Sequence, residues 1–454
     1  METMFKNKNV IVLGLAKSGF STALLLLKSG ANVIISALKK DISDSNIELL
    51  HTLGAKIIWG PHSIDLLNNN IDFIVKNPGI PYSIPFLIES KKRNIPIYSE
   101  VEITSPFLKD TIAITGSNGK TTTTTLIQNI LSLHKDTIAC GNIGRPLSDV
   151  VVKEEQDKTL VMELSSFQLK GTRTFKPFIS ILLNINESHL DYHKDMNDYV
   201  LSKSMITKNQ TADDFFIYNI EDPILRDVAT TTTNATTIPF STDNFNTEGA
   251  CVKEGWIYYK GERFMETNKI ALPGKHNLQN ILSALIVAKL HNIPEDSIKH
   301  VFATFSGVEH RLQYVTTIKN RKFYNDSKAT NIPAANNAVL SFEHSPILIA
   351  GGLDRGNGFE EFIPTLRKCK AVFVYGQTAD KIVNIAVDHK LNHVFKVNSL
   401  EDAVVKSYAN SSEKDIILLS PACASWDQFK SFEERGNQFI SYIHQLKKNQ
   451  DVLV

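Results

Sequence analysis

Residues 112–126 read IAITGSNGKTTTTTL: a short apolar run, a glycine-bounded loop, a lysine and five threonines. Gly116 and Gly119 let such a loop curl so that backbone N–H groups face inward, where they can take phosphate oxygens. Ser117 and Asn118 complete the loop, and Lys120 adds a point charge for the outer phosphates. Thr121 or Thr122 opens the next helix with a hydroxyl suited to Mg2+. The long spelling of this motif needs a glycine where Ile114 stands, so the loop here is a shorter one. The chemistry these residues offer is the grip on a nucleoside triphosphate.

Such a site needs a metal partner on a neighbouring strand. Glu163 ends the apolar run 160–162, and a second strand, in FISILLNINESHLDYH, ends with Glu187, His189 and Asp191. Hard cations take oxygen with occasional imidazole, so strand-end acids and His189 beside a phosphate loop suit divalent ions, with room for a second one. Cys140, Cys251, Cys369 and Cys423 are far apart and form no C-x-x-C pair. They read as reduced, buried thiols, and structural zinc is not expected.

A second phosphate signal lies near the start. Gly14, Leu15, Ala16, Lys17, Ser18 and Gly19 form G-x-A-x-x-G after an apolar run. This is a near-miss of the dinucleotide fingerprint, since Ala16 holds the second glycine's place and IISALKK supplies no ribose-binding acid. NAD is therefore disfavoured. Another diphosphate at this helix start, or a plain tight turn, both remain open. KNPGIP, with Asn77, Pro78 and Gly79, also falls at a strand end, where open α/β sheets place ligands.

Three segments must position these residues, close to the length prior of about three domains for 454 residues. In 1–101, apolar runs at 10–13, 32–36, 56–59, 71–75 and 95–98 alternate with helical lengths, which predicts a parallel sheet covered on both faces. Segment 102–307 carries the opening motif, a Thr-rich low-complexity patch ATTTTNATTIPFSTDN that reads as a surface excursion, and a helix over 277–290. Segment 308–454 alternates strands and polar loops again, and no short-period repeat is present. Net charge is +1, from 49 basic and 48 acidic residues, which argues against a nucleic-acid or polybasic membrane surface. No run approaches the roughly 20 apolar residues of a membrane span. VIVLGLA after the first lysines reads as a strand rather than a signal peptide, so a cytoplasmic protein is expected.

TGSNGKTTT, CGNIGRPL, ELSSFQL, NINESHLD, LPGKHNLQNILSAL, GVEHRLQ and NDSKATN occur in that order, and on them the chain resembles the Mur ligase family, ATP-dependent amide-forming enzymes of peptidoglycan precursor synthesis. GGLDRGNGF and SPACASWDQFKSFEERG resemble its D-glutamate-adding branch. The resemblance implies three α/β domains: a Rossmann-like N-terminal domain, a P-loop ATPase-like central domain and a Rossmann-like C-terminal domain. It implies ATP, UDP-N-acetylmuramoyl-L-alanine and D-glutamate as substrates, with an acyl phosphate intermediate. A monomer is expected, and because the ATP residues come from the second and third segments, the C-terminal domain is expected to close on substrate binding.

Residue by residue, it implies that Gly116, Ser117, Asn118, Gly119, Lys120, Thr121 and Thr122 hold the ATP phosphates. Asn277 and Asn280 match positions near adenine, Arg311 a phosphate contact and Asp326 a ribose contact. Thr121, Glu163 and His189 match magnesium ligands, and Asn142 lies near the phosphates and the acceptor carboxylate. Lys203 matches a lysine carbamylated by CO2 that steadies a magnesium pair. Gly14, Leu15, Ala16, Lys17, Asn77, Pro78 and Gly79 match the uridine diphosphate end. Lys328, Thr330, Arg355, Ser425 and Phe432 match the D-glutamate pocket, with Arg355 where some members carry lysine. The rivals are a ligase of the same fold with another amino acid or with folate, a P-loop switch that turns over ATP without an amino acid, and a non-catalytic nucleotide-sugar binding module.

Overall fold

The apolar runs of the first hundred residues become five strands: β1 Asn9–Leu13, β2 Asn32–Ala37, β3 Lys56–Trp59, β4 Phe73–Lys76 and β5 Ile97–Tyr98. A computed structural model describes residues 4–451 of the chain except 41, 69, 191, 244–247, 273, 343 and 357. The five strands pair in parallel in the order β3-β2-β1-β4-β5. Alternate residues of β1 feed two cores, as the two-residue period of a strand requires. Val10 and Val12 pack with Leu25 and Leu26 of helix Lys17–Lys28, and Ile11 and Leu13 with Phe86 and Leu87 of helix Pro85–Lys92. Covering both faces is why β1 reads as an unbroken apolar run. Strand order reverses between β1 and β4, so an open crevice forms at their carboxyl ends.

The second sheet holds β6 Thr111–Thr115, β7 Thr137–Gly141, β8 Thr159–Glu163, β9 Ile179–Leu182, β10 Phe215–Asn219, β11 Thr236–Ser241, β12 Ala250–Lys253, β13 Trp256–Tyr259 and β14 Glu262–Glu266. Its order is β14-β13-β12-β11-β10-β9-β6-β8-β7. β6 lies between β8 and β9, parallel to both. Register sets Ile114 opposite Glu163 and Thr115 opposite Leu182, and β7 sets Gly141 opposite Glu163. The phosphate loop, Glu163 and Asn142 therefore leave the sheet at one edge.

The Thr-rich patch is not wholly a surface excursion. Its second half is β11, paired in parallel with β10, and Ile238 and Phe240 are buried. Threonine fits a pleated, half-buried surface, so low complexity here conceals a strand rather than a loop. Asn244, at its end, lies outside the described residues.

The third sheet comprises β15 Gln313–Ile318, β16 Arg321–Asn325, β17 Ile347–Gly351, β18 Ala371–Tyr375, β19 Val394–Lys396 and β20 Ile416–Leu419, in the order β15-β16-β20-β17-β18-β19. Among the described residues the β15–β16 pair is antiparallel and the other pairs are parallel. The chain divides into two compact units, Met1–Phe305 with the first two sheets and Ser306–Val454 with the third. No described helix is long and apolar enough to cross a membrane.

Candidate active site

The loop after β6 is clamped by the segment after β9. Ser117 N donates to Asn184 O at 2.9 Å, and Asn118 N to Asn184 Oδ1 at 2.9 Å. Ser117 Oγ donates to Asn186 O at 3.0 Å. Gly119, with φ +84, stands where an added Cβ would lie 2.4 Å from Asn280 Oδ1. Only glycine combines that left-handed turn with so close an approach. Asn280 in turn accepts from Thr123 Oγ1 at 3.1 Å and donates to Asn277 Oδ1 at 3.2 Å, so both asparagines of helix Lys275–Leu290 back the loop. The first backbone bond of helix Lys120–Leu131 runs from Thr123 N to Gly119 O, which puts the amides before Thr123 ahead of the helical ladder. Thr121 is buried and Thr122 half-buried at this start.

Two lysines meet on one carbonyl. Lys120 Nζ donates to Gly116 O at 2.8 Å and to Ser117 O at 2.9 Å. Lys203 Nζ, from helix Met196–Ser204, donates to the same Gly116 O at 2.8 Å. A lone helix lysine is ordinarily solvated, yet Lys203 is buried, 4.8 Å above the Tyr199 ring. Burial, and then the charge of Lys120, hold its ammonium well below the usual lysine range.

Glu163 ends β8 fully covered. Its Oε1 accepts from Asn142 Nδ2 at 2.9 Å, while Oε2 is buried without a hydrogen-bond partner. An orphaned carboxylate oxygen is costly unless something of positive charge sits against it, so this atom fits a magnesium ligand. His189 is exposed, with φ 57, and its ring stands 5.0 Å edge-on from Phe167. Among the described residues no three His, Cys, Asp or Glu side chains gather as a metal cluster; the set read from the sequence has two, Glu163 and His189, with Thr121 and Lys203. Asp191 lies outside the described residues.

The crevice between β1 and β4 opens beside this edge. A cavity of about 430 Å³ is lined by Ala16, Lys17, Asn77, Pro78 and Gly79 from the first sheet and by Asn142 and Phe167 from the second. Gly14 brings the two loops together, since its added Cβ would lie 3.1 Å from Asn77 Cβ at φ +87. Leu15 is a core residue, and neither it nor Gly14 is among the residues lining the cavity. Lys76, a wholly buried lysine ending β4, and Tyr192 against it lie outside the motifs that single out the other candidates. The one available signal was a lysine closing an apolar strand.

In the unit Ser306–Val454 the remaining candidates gather at the carboxyl ends of β16, β17 and β20. Asp326 accepts from Ser420 Oγ at 2.8 Å and from Leu312 N at 3.1 Å, and burial pushes its carboxyl up to about 7. Arg311 is exposed. Lys328 lies 5.8 Å from the Phe432 ring centre and Arg355 5.4 Å from that of Trp426. Thr330 is half-buried and Ser425 buried in the same loops. Arg435, fully buried, ties those loops: it donates to Ser327 Oγ at 2.9 Å, Ser327 O at 2.8 Å and Cys423 O at 3.0 Å.

Residues 114–288 match the Mur ligase middle domain and residues 310–423 the Mur ligase, glutamate ligase domain. The chain is 47% identical over 451 residues to the UDP-N-acetylmuramoylalanine--D-glutamate ligase of Bacillus cereus strain G9842, covering 98% of this chain and 99% of that one. The enzyme of the same name from Bacillus anthracis strain A0248 is 46% identical over 450 residues, with the same coverage. Among solved structures, UDP-N-acetylmuramate-alanine ligase MurC from Thermotoga maritima aligns with a TM-score of 0.54 at 18% identity, over 97% of this chain and 100% of that one. MurF from Acinetobacter baumannii aligns with a TM-score of 0.56 at 16% identity, over 95% and 93%. These two likenesses concern the fold.

Proposed function

The chain belongs to the Mur ligase family, and from that membership we propose the reaction its site performs: ATP-dependent addition of D-glutamate to UDP-N-acetylmuramoyl-L-alanine. A free carboxylate resists amines because its charge repels them and oxide is a poor leaving group. Transfer of the ATP γ-phosphoryl group to a carboxylate oxygen gives an acyl phosphate and ADP. The glutamate nitrogen then adds to the acyl carbon, and the tetrahedral intermediate loses inorganic phosphate and a proton to leave the amide. Positioning and charge neutralisation do this work, without a covalent enzyme intermediate.

In this reading the loop of Gly116, Ser117, Asn118, Gly119 and Lys120, with Thr121 and Thr122, holds the phosphates, and Lys120 meets their outer charge. Thr121, Glu163, His189 and a carbamate on Lys203 would hold two magnesium ions, which supply charge neutralisation at the phosphate oxygens when bound. Asn142 faces both phosphates and acceptor carboxylate. Asn277 and Asn280 lie near adenine, Arg311 near phosphate and Asp326 near ribose. Gly14, Leu15, Ala16, Lys17, Asn77, Pro78 and Gly79 take the uridine diphosphate. Lys328, Thr330, Arg355, Ser425 and Phe432 take D-glutamate. Domain boundaries at 101/102 and 307/308, and a cytoplasmic monomer, belong to the same proposal.

The observation that carries the reading is the unpartnered Oε2 of Glu163, buried one strand from the phosphate loop and bonded through Oε1 to Asn142. Phosphate release from ATP with UDP-N-acetylmuramoyl-L-alanine tests it. Release that requires D-glutamate and ignores L-glutamate is expected. Equal release without any amino acid would point instead to an ATPase switch.

A further inference from the structure

Lys76 is among the largest wholly covered side chains of the molecule, at 1% exposure, yet no carboxylate pairs with it among the described residues. Its Nζ donates to three oxygens: Asn77 O at 3.2 Å, Pro78 O at 3.2 Å and Tyr192 Oη at 2.9 Å. These three acceptors and the Tyr82 ring, 4.7 Å from Nζ, favour the charged form, against burial and then the charges of Lys170 and Lys91, which pull its pKa down to about 7. Tyr192 Oη passes the link on, donating to Ile80 O at 3.4 Å. The lysine and tyrosine thus hold three carbonyls of one short loop, the loop whose Asn77, Pro78 and Gly79 line the 430 Å³ cavity.

The orientation of that loop follows. In a trans peptide the carbonyl and the next N–H point opposite ways. With Pro78 O turned to Lys76, Gly79 N–H is turned away from it, where it meets Asn77 Oδ1 at 3.4 Å. Asn77 Nδ2 in turn reaches Ser18 Oγ at 3.5 Å, on the first loop of the crevice. On the other side, Tyr192 N donates to His189 O at 3.1 Å, and the Tyr192 ring lies 4.1 Å from Phe167, a cavity residue. Filling space alone would need only an apolar side chain at the end of β4. What a methionine could not supply is the grip on the carbonyls.

We infer that Lys76 and Tyr192 are positioning residues for the nucleotide-sugar substrate, fixing the face that the 77–80 loop presents to the crevice and joining it to the loop of His189. The inference rests on the proposed substrate and is tested apart from the reaction. In the full-length chain, K76M and Y192F are compared with wild type by calorimetric titration with UDP and with UDP-N-acetylmuramoyl-L-alanine. Affinity for UDP falls about tenfold in K76M and about threefold in Y192F, the losses expected of removed buried hydrogen bonds. KM values for ATP and D-glutamate stay within about twofold, because the phosphate loop is untouched. UDP affinity within about twofold of wild type in folded K76M, or an equal loss for ATP, overturns the inference. Should K76M not fold, Y192F decides alone, and unchanged UDP affinity there overturns it. A wild-type chain that binds UDP but forms no amide would refute the reaction and leave this inference standing.

Discussion

Gly116 O takes bonds from both Lys120 and Lys203, and two ammonium groups on one oxygen repel each other unless one gives up its proton. Lys203 is the one displaced: burial and then the Lys120 charge lower its affinity for a proton. CO2 adds only to the neutral amine, forming an N–C bond and releasing a proton, so a lysine whose hold on its proton is weakened is better prepared for it. The sign is fixed by this order of events. Carbamate forms increasingly as pH rises through the lowered folded pKa and is lost as pH falls below it, where the amine reprotonates. Protein equilibrated with 13C-labelled CO2 is expected to show a carbamate 13C resonance that K203M lacks, growing with pH. Stripping CO2 should cost on the order of tenfold or more in kcat, restored by bicarbonate, since in the proposed reading the carbamate would contribute one charge of the electrostatic site. No resonance above that of K203M would remove the carbamate from the account.

At the scale of elements, loops carry the candidate chemistry and buried groups hold the loops. Arg435, near the start of helix Phe432–Asp451, joins Ser327 after β16 to Cys423 after β20. Replacing it with methionine leaves Ser327 O and Cys423 O without their donors in a closed interior. R435M should lower unfolding stability by about 2–4 kcal/mol, read by urea denaturation. A change under about 0.5 kcal/mol would mean water reaches those carbonyls. Much of this layer was legible in the sequence. The β1, β2 and β3 runs sit within a residue of their observed ends; β1, covered on both faces, is apolar almost throughout, while β3 is a partly exposed edge strand marked by its β-branched and aromatic residues. Glu163 and the glycine loop were legible for the same reason: polar residues closing apolar runs stand out. Lys76 closes such a run too, but sequence cannot say that its partners are carbonyls of its own loop and a tyrosine 116 residues away. Nor can it say that Lys203 is buried, since that follows from the packing of helix Met196–Ser204 against the phosphate loop. The Thr-rich patch misled because composition hid the alternation of Ile238 and Phe240.

At the scale of the molecule, the division into two units separates the candidate residues into two groups. The unit Met1–Phe305 contains the phosphate loop and the candidate uridine diphosphate residues, whereas the ATP candidates Arg311 and Asp326 lie in Ser306–Val454. Glu100, buried, accepts from Ser148 N at 2.8 Å and Ser148 Oγ at 2.7 Å. Glu102 accepts from Arg173 N at 2.8 Å and Thr174 Oγ1 at 2.7 Å. Both acids stand on helix Glu100–Thr104, just past the first sheet, and reach into the second. Lys76 and Tyr192 make a further bridge between the same two sheets. Cutting between these sheets would strand buried carboxylates, whereas cutting after Phe305 follows the natural division. Residues 1–305 expressed alone are therefore expected to fold and to bind UDP within about twofold of the full-length affinity, with no amide formed because the D-glutamate candidates all lie beyond residue 305. UDP at a hundred times its Kd should raise the unfolding free energy of that fragment by about 2.7 kcal/mol and leave residues 306–454 unmoved. Calorimetric melts of the two fragments, with and without UDP, check both statements. A fragment 1–305 that folds but fails to bind UDP, or a UDP-dependent shift in 306–454, would show that the nucleotide-sugar site needs residues from the other unit.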